Sequence, residues 1–106
     1  MNAETNLKAM GLELPSAAPP LANYMRYKTV GDLVFLSGQG PRRPDGSVMA
    51  GIVGKDFTVE QAYEFARATG LGLLAAMKDA CGSLERVEVI KVLGMVNAVP
   101  GFTQHP

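Results

Sequence analysis

The chain has 106 residues, 47% hydrophobic and 19% charged, with ten Lys and Arg against ten Asp and Glu for a formal net charge of zero. That size and balance predict one small soluble domain, and neutrality removes the basic footprint on which non-specific nucleic-acid binders and membrane-surface proteins depend. Met1-Asn2-Ala3-Glu4 lacks the positive start and apolar stretch of a secretory signal, and no run reaches the roughly 18 apolar residues of a membrane helix, so the expected location is cytoplasmic and the expected partners are small molecules or proteins.

Taken in order, Thr5 to Met10 predicts a short helix stopped by Gly11, followed by a proline-bearing arm from Leu14 to Pro20. Tyr24 to Thr29 alternates Met25 and Tyr27 with Arg26 and Lys28. Val30-Gly31-Asp32 then turns the chain into Leu33 to Leu36, which reads as a hairpin. Gly38 to Asp56 is loop-rich, punctuated by Pro41, Pro44, Asp45-Gly46, Gly51 and Gly54, with a short strand expected at Ser47 to Ala50.

One long helix follows. Thr58 with Gln61 three residues later forms a capping box, and Val59, Ala62, Phe65, Ala66, Thr69, Leu73, Ala76, Met77 and Ala80 form an apolar stripe that should lie across a sheet. Gly70 and Gly72 each cost nearly 1 kcal/mol there relative to alanine, which points to close packing, and Gly82 fits a C-terminal cap. Val87 to Val96 predicts a strand with apolar residues at both parities: Val87, Val89, Leu93 and Met95 against Ile90, Val92 and Val96. One helix cannot cover both faces of such a strand, so self-association is expected.

The candidate site is the end of the second hairpin strand. Leu33-Val-Phe-Leu-Ser-Gly-Gln39 is an apolar run closed by small polar groups: a hydroxyl on Ser37, bare backbone at Gly38, and both amide donor and acceptor on Gln39. The plainer alternative is a strand followed by a common turn. Other signals read as structural. Gly51 to Asp56 has glycines too closely spaced for a phosphate loop, with Asp56 where a Ser or Thr would hold magnesium. Arg42 and Arg43 read as solvated loop residues, and His105 as a terminal group without a catalytic partner. The carboxylates are scattered with no His/Cys cluster, so no metal is expected, and the lone Cys81 reads as a small buried hydrophobe.

A string of features in fixed order carries a family resemblance. It comprises Leu12-Glu13-Leu14-Pro15, Pro19-Pro20 leading to Tyr24, Ser37-Gly38-Gln39 with Pro41, and Val59-Glu60-Gln61-Ala62. It ends with the turn Cys81-Gly-Ser-Leu-Glu-Arg-Val87 and the strand Val92-Leu-Gly-Met-Val-Asn97. Together these resemble the Rid family of reactive intermediate deaminases, also known as the YjgF or L-PSP endoribonuclease family. The Leu-Pro lead and the Leu-Gly-Met-Val-Asn strand resemble a divergent branch of it.

The resemblance implies an α+β, chorismate-mutase-like (YjgF-like) fold: a mixed sheet with helices packed on one face, here truncated after the first long helix and the following strand. Residues 1–106 would then form a single domain incomplete at its C-terminus, either a fragment or a natural truncation, because family members continue with a second helix and final strands. It further implies a homotrimer with inter-subunit clefts for keto or imino acids, and cofactor-free hydrolysis of reactive enamines or imines to keto acids and ammonia. Tyr24, Ser37, Gly38 and Gln39 would bind substrate. The arginine that grips the substrate carboxylate and the acidic residue that positions water would lie beyond Pro106. Two further readings stand beside this one: a non-catalytic trimer that binds metabolites or a protein, and the ribonuclease of the family's name, which neutral charge and a single histidine disfavour.

Overall fold

The computed structural model describes residues 3–15, 25–43 and 45–106. Its elements in chain order are helix α1 (Ala3–Ala9), strands β1 (Tyr27–Val30) and β2 (Leu33–Leu36), helix α2 (Val59–Cys81) and a 3-10 turn at Leu84–Arg86. The chain divides into two compact units, Met1–Gln39 with Gly70–Glu88 and Gly40–Thr69 with Val89–Pro106, so α2 contributes its first half to the second unit and its second half to the first.

Local chemistry explains the element boundaries. Thr58 and Gln61 make the reciprocal pair the sequence predicts: the Thr58 amide donates to Gln61 Oε1 at 2.9 Å and the Gln61 amide to Thr58 Oγ1 at 3.1 Å, satisfying two amides that a helix start leaves open. At the other end Gly82 adopts φ 80° and its amide donates to the Lys78 carbonyl at 2.7 Å, a left-handed stop that L-residues avoid. The first helix begins at Ala3, two residues earlier than expected. It closes in a Schellman motif, with Leu12 N donating to Leu7 O and Gly11 N to Lys8 O at 2.9 and 3.0 Å.

In the first unit, β1 and β2 pair antiparallel from Tyr27↔Leu36 to Val30↔Leu33, as the predicted hairpin requires. Gly31 opens the two-residue loop at φ 58°, the sign shared by the turn types that match the right-handed twist of hairpin strands. Val34 and Leu36 are part-buried while Leu33 and Phe35 are exposed, so the hairpin covers one face only. Arg26 joins it to α2 through a 2.7 Å ion pair with Asp79. Glu4 of α1 binds Lys78 at 2.5 Å and accepts from the Ser83 hydroxyl at 3.1 Å. Ala75, Ala76 and Leu84 form the buried centre.

The second unit centres on Val53, which is buried and bridges Phe57 and Ala98 in parallel, with Val53 N donating to Asn97 O at 2.9 Å and Val99 N to Val53 O at 3.0 Å. Phe57 meets Phe65 edge-on at 4.8 Å between ring centroids, a favoured aromatic geometry, and the Phe57 ring lies over Gly51 where no side chain would fit. Gly54 has φ 91° and faces Val99, whose Cγ2 would be 2.8 Å from an added Cβ.

Three expectations are corrected. Val87 to Val96 forms no strand ladder among the described residues: a strand is defined by neighbours that take its N–H and C=O groups, and none runs alongside. Ser47 to Ala50 contributes one antiparallel bridge, Val48 to Arg42, because Asp45 and Gly46 reverse the chain at once. Within the α2 stripe Ala66 is exposed, and Ala75 takes a buried place instead.

Candidate functional site

The predicted site begins where the hairpin ladder runs out. Ser37 N donates to Arg26 O at 2.9 Å, extending the β1–β2 pairing by one step past Leu36 and holding the turn rigidly to the strand. The Ser37 hydroxyl also donates to the Met25 carbonyl. With its proton on that carbonyl, Ser37 Oγ keeps lone pairs that can accept from a ligand N–H or a water. Sequence reasoning missed this bond, since nothing in Ser-Gly-Gln shows which carbonyl lies across the ladder.

Ser37 is part-buried, and Gly38 and Gln39 are exposed. Gln39 folds back on α2, where its Nε2 donates to the Gly72 carbonyl at 3.4 Å. The glycine there makes room for it: a Cβ on Gly72 would lie 2.5 Å from Gln39 Oε1, and the carboxamide would have to move. The helix glycines were the signal for close packing, and the structure divides them. Gly72 is approached, whereas a Cβ on Gly70 would meet nothing within 4 Å.

Behind the turn stands a charge pair that residue spacing does not show. Arg26 and Asp79 are 53 positions apart, bonded at 2.7 Å, with side chains 26% and 44% exposed. The turn therefore offers the Ser37 hydroxyl and the Gln39 carboxamide, and Arg26, whose carbonyl takes the Ser37 amide, has its guanidinium paired with Asp79. Tyr24, the fourth expected binding residue, lies outside the described residues. A nearby open groove of about 480 Å³ is lined by Leu14, Pro15, Ala75, Lys78, Asp79 and Gly82, and Ser37 to Gln39 are not among its walls.

Residues 4–106 match the family profile described as "YjgF/chorismate_mutase-like, putative endoribonuclease". The chain belongs to the YjgF family. It is 39% identical over 100 residues to Protein TCP17 of Trypanosoma cruzi, covering 93% of this chain and 62% of that protein. Among solved structures it is similar to a protein of Shewanella oneidensis MR-1 titled "putative endoribonuclease", with a TM-score of 0.74 at 40% identity over 81% of this chain and 57% of that one. It is also similar to protein Atu1372 of Agrobacterium tumefaciens, titled as of unknown function, with a TM-score of 0.78 at 34% identity over 95% of this chain and 63% of that one. The fold is thus the α+β chorismate-mutase-like fold of the YjgF family, and the chain spans about three-fifths of the length of these relatives.

Other polar groups of this YjgF chain are occupied by local structure. Arg42 Nη1 donates to the Gly46 carbonyl and Arg43 Nη1 to Ser47 Oγ, both at 3.3 Å. The Ser47 hydroxyl and amide, at 2.6 and 2.8 Å, hold the Asp45 carboxyl below its ordinary range. In the Gly51 to Asp56 loop the Asp56 carboxylate accepts the Ile52 amide at 2.8 Å, and the Val53 and Gly54 amides go to Asn97 and Phe57 carbonyls, leaving no cradle of amides for phosphate. His105 lies edge-on to Phe102, and Cys81 is part-buried. Among the described residues no three His, Cys, Asp or Glu side chains gather in a way that could hold a metal ion, and no helix is long and apolar enough to cross a membrane.

Proposed function

We propose that the Ser37–Gln39 turn is one wall of a cleft for small keto and imino acids, and that the protein hydrolyses reactive enamines or imines to keto acids and ammonia. The observation that carries this reading is the Ser37 hydroxyl held at the end of the hairpin ladder by its amide's bond to Arg26 O: its lone pairs can accept the N–H of an imine or the proton of an attacking water. In the reaction the enamine tautomerises to its imine, water adds to the imine carbon, and the C–N bond then breaks as nitrogen takes a proton and leaves as ammonia. Each atom is supplied by substrate and water, so no cofactor enters. Ser37, Gly38 and Gln39, with Tyr24, orient substrate and water, and catalysis rests on positioning. On this reading a carboxylate clamp and an acidic group that directs the water would lie in the part of the relatives' length that this chain does not span.

A homotrimer with clefts shared between subunits, in the cytoplasm, completes the reading. The exposed Val89, Ile90, Val92, Leu93 and Met95 support it, since so much adjoining apolar surface is stabilised by burial. The "putative endoribonuclease" wording of the Shewanella relative suggests RNA instead; formal neutrality and a single histidine speak against that.

The test titrates the full-length protein with 2-ketobutyrate as a product mimic, then follows ammonia release from an enamine generated by a dehydratase acting on threonine. Saturable binding and acceleration over the spontaneous rate are expected, with affinity falling about fivefold in Ser37→Ala, the loss of a hydrogen bond of roughly 1 kcal/mol. Binding without acceleration would point to a non-catalytic metabolite binder, and absence of both would remove the cleft.

A further inference from the structure

Gln39 and Gly72 are 33 positions apart, yet the Gln39 side chain fills the volume in which any other residue at position 72 would carry its Cβ. Glycine in the interior of a helix is unfavourable, and α2 carries two of them only two positions apart. They differ in one respect. A Cβ on Gly70 would enter open space, while one on Gly72 would come 2.5 Å from Gln39 Oε1 and 3.6 Å from its Cδ. The atom in conflict is the far end of a flexible side chain, so alanine at 72 would leave the helix intact and move the carboxamide instead.

We propose that Gly72 is a positioning residue: its missing Cβ lets Gln39 lie against α2 with its Nε2 on the Gly72 carbonyl, and this holds the Ser37–Gln39 turn in the shape that binds ligand. The assignment rests on the reading of that turn as a cleft wall. Gly72 touches no ligand itself. It acts through Gln39, which ties the exposed end of the turn to the helix as Ser37 N ties its beginning to Arg26.

The experiment uses Gly72→Ala with Gly70→Ala as its matched control, because both gain the same helix propensity and only one meets Gln39. Both variants should keep or raise Tm. Affinity for 2-ketobutyrate should fall about tenfold in Gly72→Ala and stay unchanged in Gly70→Ala. Gln39→Asn, one methylene shorter, should lose affinity similarly, and the Gly72→Ala/Gln39→Asn double variant should be no worse than Gln39→Asn alone, as coupled sites require. Additive losses, or equal affinity in the two alanine variants, overturn the proposal.

A ligand-free readout separates this from the cleft reading. The side-chain amide signal of Gln39 in the nuclear magnetic resonance spectrum should shift in Gly72→Ala and not in Gly70→Ala. If wild-type protein binds no 2-ketobutyrate but the signal shifts, the cleft reading fails while the placement of Gln39 by Gly72 stands. If the signal does not shift, the proposal fails whatever binds. Should Gly72→Ala not fold, the conflict is not relieved by Gln39, and restored folding in the double variant is then required to keep the proposal.

Discussion

The hairpin Tyr27–Leu36 and the segment Val87 to Val96 are both largely apolar and both read as strands, yet only the hairpin forms a ladder. Each hairpin strand finds its partner across two loop residues, so the closure entropy is small and Gly31 supplies the backbone sign the turn needs. Among the described residues Val87 to Val96 pairs with no strand: Val87 N bonds back to Leu84 O and the far end is held beyond Val96, where Asn97 and Val99 bond to Val53, while Leu93 and Met95 are 78% and 89% exposed. Apolar composition thus marks where a strand is possible; hydrogen-bonding neighbours decide whether it exists.

The largest expected effect lies in the unpaired region. If Val92, 71% exposed in the single chain, is buried between subunits of the proposed trimer, Val92→Lys or Val96→Glu places an unpaired charge in that contact and should convert trimer to monomer in sedimentation experiments. An unchanged trimer in both variants would mean the segment is covered from within its own chain.

A smaller effect is expected in the hairpin. Gly31→Val forces a β-branched residue to φ 58°, where nothing crowds the added Cβ, so the cost is purely backbone and should be about 1–2 kcal/mol in denaturant unfolding. Valine at this position with wild-type stability would show that the hairpin is held by α2 and not by its turn.

The smallest effect is electrostatic. The hydrogen bond from Lys78, then that from Ser83, holds the Glu4 carboxyl below its ordinary range in the folded chain. A group whose folded value is depressed contributes stability present above the unfolded carboxylate range and lost as pH falls through the folded value. Glu4 is half-buried at the surface, its side chain 32% exposed, so solvent still screens the pair and the contribution is small. Comparing Glu4→Gln with wild type from neutral pH into the acid range should show a modest gap that closes on acidification. A gap that widens would contradict the assignment.

What the residues determined by themselves is local. The Thr58–Gln61 box, the Gly82 stop, the Gly31 turn and the Leu7–Leu12 helix end each act within about five residues, so their chemistry is complete wherever the chain goes. The ordered motifs likewise pointed to the YjgF family, to which residues 4–106 belong. Tertiary structure decided the rest. It brought Arg26 to Asp79, turned the Ser37 proton onto the Met25 carbonyl, distinguished Gly72 from Gly70, and left Val87 to Val96 without a ladder. Each of those outcomes depends on which backbone comes alongside across the fold, and a pattern of residue types along one chain carries hydrophobicity and propensity but not that neighbour's identity.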